Sequence, residues 1–410
     1  MNRPVLIIGS APRITIPIAR SLHRHGVRVE VASFSAIEPT SQSHAVSDFI
    51  RLPNPSPAED QSSNFLECLT RLISERRYDM LIPANDSALA VVSQYEARLR
   101  ELLYLACPTS PVVQRVLDKS ITLEFARGAG IAAPSTYRVS NPAELAAISR
   151  QLRFPLVAKP YHKGDEMDFK VRYFQTYELL HQALAADDAL GGKLLLQEFA
   201  QGDGVGIEVL MHRGDAVAIF QHRRLKEVPT SGGVAAVAMA EPLEPVLVDQ
   251  ALALLRALEW EGVAMVEFRH DRAQRLTSLM EVNGRYWGTL SLAIEAGLDF
   301  PWYEWQIAHG EKPAVPLSYS TGARWRWSAG YITRWRELAK TSIGGALKHP
   351  AGLRELVPSL ADLSARDALW DAADPVPAIG ELARTVRDLA ISDLKGMVRA
   401  LRPVRRRNGI

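Results

Sequence analysis

Between Gly262 and Gly288 the chain runs Gly-Val-Ala-Met-Val-Glu-Phe-Arg-His-Asp, a short polar turn, then Thr277-Ser-Leu-Met-Glu-Val-Asn-Gly-Arg-Tyr-Trp-Gly288. Two runs of alternating apolar and polar residues separated by Asp271 to Arg275 predict a β-hairpin, with Glu267 on one face of its strand and Val266 and Phe268 on the other. Glu281 and Asn283 share a face as well. A hairpin symmetric about Gln274 sets Glu267 directly opposite Glu281, where two carboxylates repel each other and destabilise the pair. A cation removes that objection. Two acids and an amide are hard oxygen ligands, and they suit Mg²⁺ that also binds phosphate oxygens, because magnesium usually takes only one or two protein carboxylates. A solvated acidic hairpin face accounts for the same letters, so both readings stand at this level.

A chain of 410 residues exceeds what one hydrophobic core serves, and its 47% apolar share is that of a well-buried globular protein. With 48 basic against 46 acidic residues there is no overall field for nucleic acid, which is not expected as a partner. Cys68 and Cys107 are the only cysteines, without metal spacing and too few for a disulfide scaffold, which fits a reducing cytoplasm. The apolar segment Val5 to Ile8 is far too short for a signal peptide or a membrane span, and no exported or membrane-spanning character is expected.

Val5 to Gly9 reads as a buried parallel strand, followed by Ser10-Ala-Pro and a helix with Ile14, Ile18 and Leu22 on one stripe. Gly26 ends the helix and Val27 to Ala32 is a second strand. This βαβ unit places its first turn at the carboxyl end of a strand, where such sheets bind ligands. Only Gly9 remains of a dinucleotide glycine fingerprint, which weakens a nicotinamide or flavin reading. After the strand Tyr78 to Pro83, Asn85 and Asp86 stand either as a ligand contact or, for Asp86, as the N-cap of the next helix.

Val112 to Gly128 reads as helical and carries Lys119. Phe154-Pro-Leu-Val-Ala-Lys-Pro160 is a short apolar strand whose single lysine, Lys159, must reach water or meet an anion. The polar segment Tyr161 to Lys170 could form a flap or a solvated loop. In Leu194 to Leu210, a strand, a glycine-rich connection and a second strand, the backbone edge Gln197-Glu198-Phe199-Ala200 could pair with an adenine ring. Asp203 or Glu208 could reach a ribose. A plain hairpin explains these letters too. The next strand ends in His222-Arg-Arg-Leu-Lys226 before Ser231-Gly-Gly, a set of cations beside a turn that suits phosphate or carboxylate, or simply a charged surface loop.

Taken in order, Lys119, Lys159, Gln197-Glu-Phe-Ala, Glu267 and Glu281-Val-Asn-Gly-Arg285 resemble the ATP-grasp superfamily. The likeness is to the branch of carbamoyl-phosphate synthase large chains and D-aspartate ligase type carboxylate-amine ligases, and it covers roughly residues 1 to 315. The resemblance implies an α/β and α+β chain: a Rossmann-like domain over 1–110, a small ATP-grasp subdomain over 111–192 and a large one over 193–315. A mainly helical extension over 316–410 would follow. It implies Lys119 and Lys159 on the phosphates of ATP, and Gln197, Glu198, Phe199 and Ala200 at the adenine. Asp203, with Glu208 as the alternative, would hold the ribose; Glu267, Glu281 and Asn283 would hold Mg²⁺, with Mn²⁺ as a substitute. Arg285 would face the transferred phosphate; apart from the resemblance, the need to offset phosphate and carboxylate charge adds Arg224 and Lys226 as fixed cations.

Joining a carboxylate to an amine requires activation, and phosphorylation by ATP supplies it through an acyl phosphate. The expected partners are therefore a small carboxylate and an amine, with a second copy of the chain as a further partner. His222 could assist proton removal, although a lone histidine at a strand end is more often a surface residue. A catalytically silent ATP-binding regulator is the alternative, and segment 161–170, which lacks the usual run of small residues, speaks for it. Beyond Pro316, four aromatic residues interleave with Arg324, Arg326, Arg334, Arg336 and Lys340. The tryptophans are expected to pack the extension against the main body under the arginines. The basic tail from Arg402 is expected to be disordered, with weak contact to anionic lipid at most.

Overall fold

The computed structural model describes residues 3–34, 39–53, 59–160, 171–186, 194–345 and 364–400. The flap segment 161–170 and the basic tail from Arg402 lie outside them.

β1 (Val5–Ile8) is buried on both faces, as a central parallel strand must be. Alternation splits its four side chains between two cores, Leu6 and Ile8 on one side, Val5 and Ile7 on the other. With β2 (Val29–Ser33), β3 (Asp48–Arg51), β4 (Met80–Pro83) and β5 (Tyr104–Leu105) it forms a five-stranded parallel sheet in the order β3-β2-β1-β4-β5. The helix Pro12–Arg24 buries Ile14, Ile18 and Leu22, the stripe read from the sequence. The helical stretch expected over 112–128 is two helices, Ser110–Leu117 and Lys119–Gly128. They break at Asp118, whose carboxylate caps the second by accepting from Ser120 N at 2.8 Å.

A small antiparallel sheet contains β6 (Thr136–Val139), β7 (Leu156–Pro160), β8 (Arg172–Phe174) and β9 (Leu194–Glu198) in the order β6-β9-β7-β8. β9 is an interior strand, so the crossover to the next sheet follows Glu198. That sheet has seven strands in the order β14-β13-β10-β11-β12-β15-β16: β10 (Asp203–His212), β11 (Asp215–Val228), β12 (Val234–Ala240), β13 (Gly262–Asp271), β14 (Leu276–Asn283), β15 (Arg324–Arg326) and β16 (Ala365–Asp367). One face packs Val205, Ile207, Val266 and Phe268 against Leu247, Ala251 and Leu254 of the helix Pro245–Ala257. The other face carries the polar residues of the site.

The extension is mainly helical, as expected, and also contributes to the large sheet. Its helices are Ser328–Gly345 and Val376–Ala400, and its strands are β15 and β16, Ala238 pairing with Trp325. Trp325 is fully buried, as the packing role read from the sequence requires, whereas Trp335 of the same cluster is 42% exposed and does not fit it. Asp374 ties the extension to the N-terminal sheet region: it accepts from Arg20 Nε at 2.9 Å and Ser43 Oγ at 2.5 Å. Burial alone would raise its carboxyl, but these donors and the His44 amide hold it below the usual aspartate range. Among the described residues, no helix is long and apolar enough to cross a membrane.

Candidate active site

The hairpin of β13 and β14 pairs Glu267 with Glu281, as the alternation requires, although by a different route. Its ladder runs from Asp271 opposite Leu276 to Phe268 opposite Leu279, a register that alone would bring Met280 against Glu267. A one-residue bulge at Met280 shifts the ladder and restores the acid pair. In antiparallel sheets, residues directly opposite share a face. The site face therefore reads Glu281 and Asn283 on β14, Met265 and Glu267 on β13, Gly204, Gly206 and Glu208 on β10, and Phe220, His222 and Arg224 on β11.

The two glycines, expected in a connection, lie inside β10. A Cβ on Gly204 would stand 2.9 Å from Arg224 Cδ, and one on Gly206 would stand 2.5 Å from His222 Cε1. Bare backbone at both positions lets side chains from β11 lie across β10 towards β13. Arg224 uses this opening to grip Glu267 with both terminal nitrogens, Nη1 donating to Oε1 at 2.7 Å, and it also donates to Gly233 O at 2.8 Å. Its burial opposes its charge, yet Glu267 and Glu227 raise its pKa above the ordinary arginine value.

His222 and Glu208 form a second pair on this face. His222 Nδ1 lies 2.5 Å from Glu208 Oε1, and the two residues are 1% and 0% exposed. His222 lines the cavity, and its Nε2 has no hydrogen-bond partner among the described residues. This corrects two expectations: His222 is not a surface residue, and Glu208, enclosed behind it, is out of reach of a ribose in an open groove.

Arg285 joins the two halves of the site. Nη2 donates to Asp86 Oδ2 at 2.9 Å and to Asn283 Oδ1 at 3.2 Å, and Nη1 donates to Tyr286 O at 2.9 Å. Asn283 in turn donates to Glu281 Oε1 at 3.0 Å. Burial lowers the Arg285 pKa, but Asp86 and the two glutamates more than offset it, so the guanidinium is held charged. Asp86 is not the N-cap: Asn85 caps the helix Asp86–Gln94 by accepting from Ala88 N at 2.8 Å, which leaves Asp86 to anchor Arg285.

These groups line a cavity of about 320 Å³ that includes His222, Arg224, Glu267, Glu281, Asn283 and Arg285. Further wall comes from Ala11 to Ile14 at the start of the helix Pro12–Arg24, and from Trp327 and Glu381 of the extension. The sequence reading assigned none of these to a site. The one signal was the Ser10-Ala-Pro turn at the carboxyl end of β1; nothing local marks Trp327 or Glu381. Tyr286 and Trp287 are wholly buried in the core, whereas Gly288 and Thr289 just after them line the cavity.

The other expected nucleotide contacts lie outside this cavity. Lys119 begins its helix and borders a smaller recess with Met280 and Glu281, so Glu281 lines both spaces. Lys159 on β7 donates to Gln197 Oε1 at 2.8 Å, and Gln197 donates to Thr136 Oγ1 at 3.1 Å. The expected backbone edge at 197–200 needs correction, because β9 is flanked on both sides. The Glu198 and Phe199 amides already donate to Ser135 O at 2.9 Å and Pro155 O at 3.1 Å. Phe199 is 43% exposed, and Asp203 pairs with Arg223 Nη1 at 3.2 Å. Lys226 follows a bulge at Leu225 and does not line the cavity. Tyr173 of β8 donates to Gly232 O at 3.2 Å, bringing the small sheet against the Ser-Gly-Gly turn.

The donor set fits a magnesium ion shared with phosphate. Two carboxylates on facing strands need a positive charge near them, and the Arg224 guanidinium supplies one in this structure. No group of three or more His, Cys, Asp or Glu residues able to hold a metal occurs among the described residues. Glu267, Glu281 and Asn283 would therefore share the ion with phosphate oxygens and water.

Residues 192–330 match the family described as ATP-grasp in the biosynthetic pathway with Ter operon. The chain is 25% identical over 221 residues to a D-alanine--D-alanine ligase of Anaplasma marginale (strain Florida). That match covers 49% of this chain and 64% of the ligase, less than two thirds of the relative's length. Among solved structures, an L-amino acid ligase from Bacillus licheniformis superposes with a TM-score of 0.59 at 19% identity, covering 75% of this chain and 74% of the ligase. An ADP complex of N5-carboxyaminoimidazole ribonucleotide synthetase superposes with a TM-score of 0.62 at 16% identity, covering 79% and 80%.

Proposed function

We propose, from the premise that the chain is an ATP-grasp protein, that it is an ADP-forming carbon-nitrogen ligase joining a small carboxylate to an amine. The observation that carries this reading is the convergence of Glu267, Glu281, Asn283 and Arg285 on one cavity. ATP would lie between the small and large sheets, with Lys159 and Lys119 towards its phosphates, Phe199 and Ala200 beside the base and Asp203 near the ribose. Magnesium held by Glu267, Glu281 and Asn283 would offset phosphate charge and polarise the γ-phosphoryl group.

A carboxylate oxygen attacks the γ-phosphorus, the bond to the β-phosphate oxygen breaks and ADP leaves. The amine nitrogen then attacks the acyl carbon of the acyl phosphate. The carbon-oxygen bond breaks, and phosphate departs carrying an oxygen of the original carboxylate. Arg285, locked by Asp86 and Asn283, faces the negative charge that moves in both steps. Arg224 holds Glu267 in place. His222, aimed by Glu208, is the group placed to accept the proton that the amine sheds.

Hydroxylamine tests this without knowledge of the amine, because it intercepts acyl phosphates as hydroxamates. A panel of amino acids and simple carboxylates with MgATP and hydroxylamine is expected to give hydroxamate and ADP in equal amounts from at least one member. ATP binding with neither product from any member would instead support the silent regulator.

A further inference from the structure

The ligase reading leaves the wall formed by Arg13, Trp327 and Glu381 without a task. Arg13 enters from the N-terminal part of the chain and lies over the Trp327 ring, its guanidinium carbon 3.7 Å from the ring centroid. Trp327 is fixed in turn, its Nε1 donating to Glu381 Oε2 at 3.0 Å. Gly288 makes the space, since a Cβ there would stand 2.9 Å from Arg13 Nη1. The contact holds the guanidinium against the ring, and Arg13 lines the cavity from that position.

The other two arginines of the cavity are committed, Arg224 to Glu267 and Arg285 to Asp86. Arg13 has no hydrogen bond or salt bridge among the described residues, although it lines the same space. Burial brings its pKa down to about 10; Glu381 offsets part of this, and Arg285 and Arg224 add to it. A cation so placed is relieved by an anion from outside the protein.

We infer that Arg13, held against Trp327, is the recognition element for an anionic carboxylate on the amine substrate, so that the amine partner is an amino acid. This rests on the ligase reading. A flat guanidinium edge matches a planar carboxylate through two parallel hydrogen bonds. The cavity is of a size for a small molecule. The extension would thus act in specificity through Trp327, with Glu381 as a positioning residue behind it.

The experiment compares the wild-type protein with Arg13→Ala and Arg13→Lys in two arms with MgATP. The first arm supplies hydroxylamine as the amine and reads hydroxamate. The second supplies amino acids, the same molecules as carboxamides, and aminoalkylphosphonates, and reads coupled product by mass together with stabilisation against thermal unfolding. Wild type is expected to use free amino acids in preference to carboxamides. Arg13→Ala is expected to lower kcat/KM for amino acids about 10- to 100-fold, mainly through KM, and to remove the preference. The loss with hydroxylamine should be smaller, and Arg13→Lys should recover part of the affinity but not the discrimination.

Equal losses for acids and carboxamides, or no wild-type preference in either coupling or thermal stabilisation, overturn the inference. Phosphonates preferred over carboxylates overturn it in favour of a phosphate-bearing amine. A silent hydroxylamine arm counts against the ligase reading instead, and the thermal readout still decides whether Arg13 distinguishes acid from amide.

Discussion

Gly206→Ala is the change for which the structure makes the sharpest demand. The added methyl carbon would lie 2.5 Å from His222 Cε1 and 2.7 Å from Glu208 Oε1, where ordinary contacts start at 3.4 Å. One of these side chains must move by about an ångström, and both are wholly enclosed. Overpacking of this kind costs roughly 1–3 kcal/mol. Replacing glycine inside a strand returns about 0.5–1 kcal/mol. The net expectation is a destabilisation of about 1–2 kcal/mol in urea unfolding, with coupling to an amine reduced at least about tenfold as the His222 ring turns away from the cavity. Gly128→Ala is the control, because a Cβ there meets nothing within 4 Å. Gly206→Ala with wild-type stability and wild-type turnover would refute the argument that this glycine exists to seat the His222–Glu208 pair.

Three further outcomes follow from the site and its surroundings. Glu281→Gln should leave the unfolding curve within about 1 kcal/mol of wild type and abolish ADP formation; retained Mg²⁺-dependent ADP release would remove Glu281 from the metal set. Arg285→Lys loses the geometry that spans Asp86, Asn283 and Tyr286 O, and a fall of about 100-fold or more in kcat/KM is expected; a fall under threefold would show that the guanidinium fork is dispensable. Glu304, which does not line the cavity, is a pH test: its buried carboxyl accepts from Tyr286 Oη at 2.7 Å, and burial pushes it up to about 7 from 4.5. Because the folded state favours the protonated acid, stability is greatest below pH 4.5 as far as this group is concerned, falls as pH rises through the window to about 7, and is level above it. Glu304→Gln should therefore gain roughly 3 kcal/mol on wild type between pH 5 and pH 8, and a pH-independent difference between the two proteins would contradict the assignment.

The hairpin could be read from sequence because its signal is local, a period of two carrying two acids and an amide on one face. Even there the agreement hides a compensation, since the turn centre and the bulge at Met280 each shift the ladder by a residue and cancel. A bulge has no marker in the alternation on either side of it. The glycines at 204 and 206 were visible but read as a connection, because glycine marks a turn and a close side-chain approach with the same letter. Asp86 could not be assigned to Arg285, which is 199 positions away, by any local rule. The same holds for Arg13 with Trp327 and Glu381, which only the packing of the extension brings together. The strands Arg324–Arg326 and Ala365–Asp367 are three residues each, too short for alternation to register.

Transfer of oxygen from carboxylate to phosphate distinguishes an acyl phosphate from any other route to the product. Carboxylates labelled with heavy oxygen are incubated with the protein, MgATP and hydroxylamine, and the released phosphate is analysed by mass. Activation through an acyl phosphate predicts that each phosphate released with hydroxamate carries one labelled oxygen from the carboxylate. Phosphate released without label while the product forms would contradict the account, because the carboxylate would then never have been bonded to phosphorus at the site between Glu267 and Glu281.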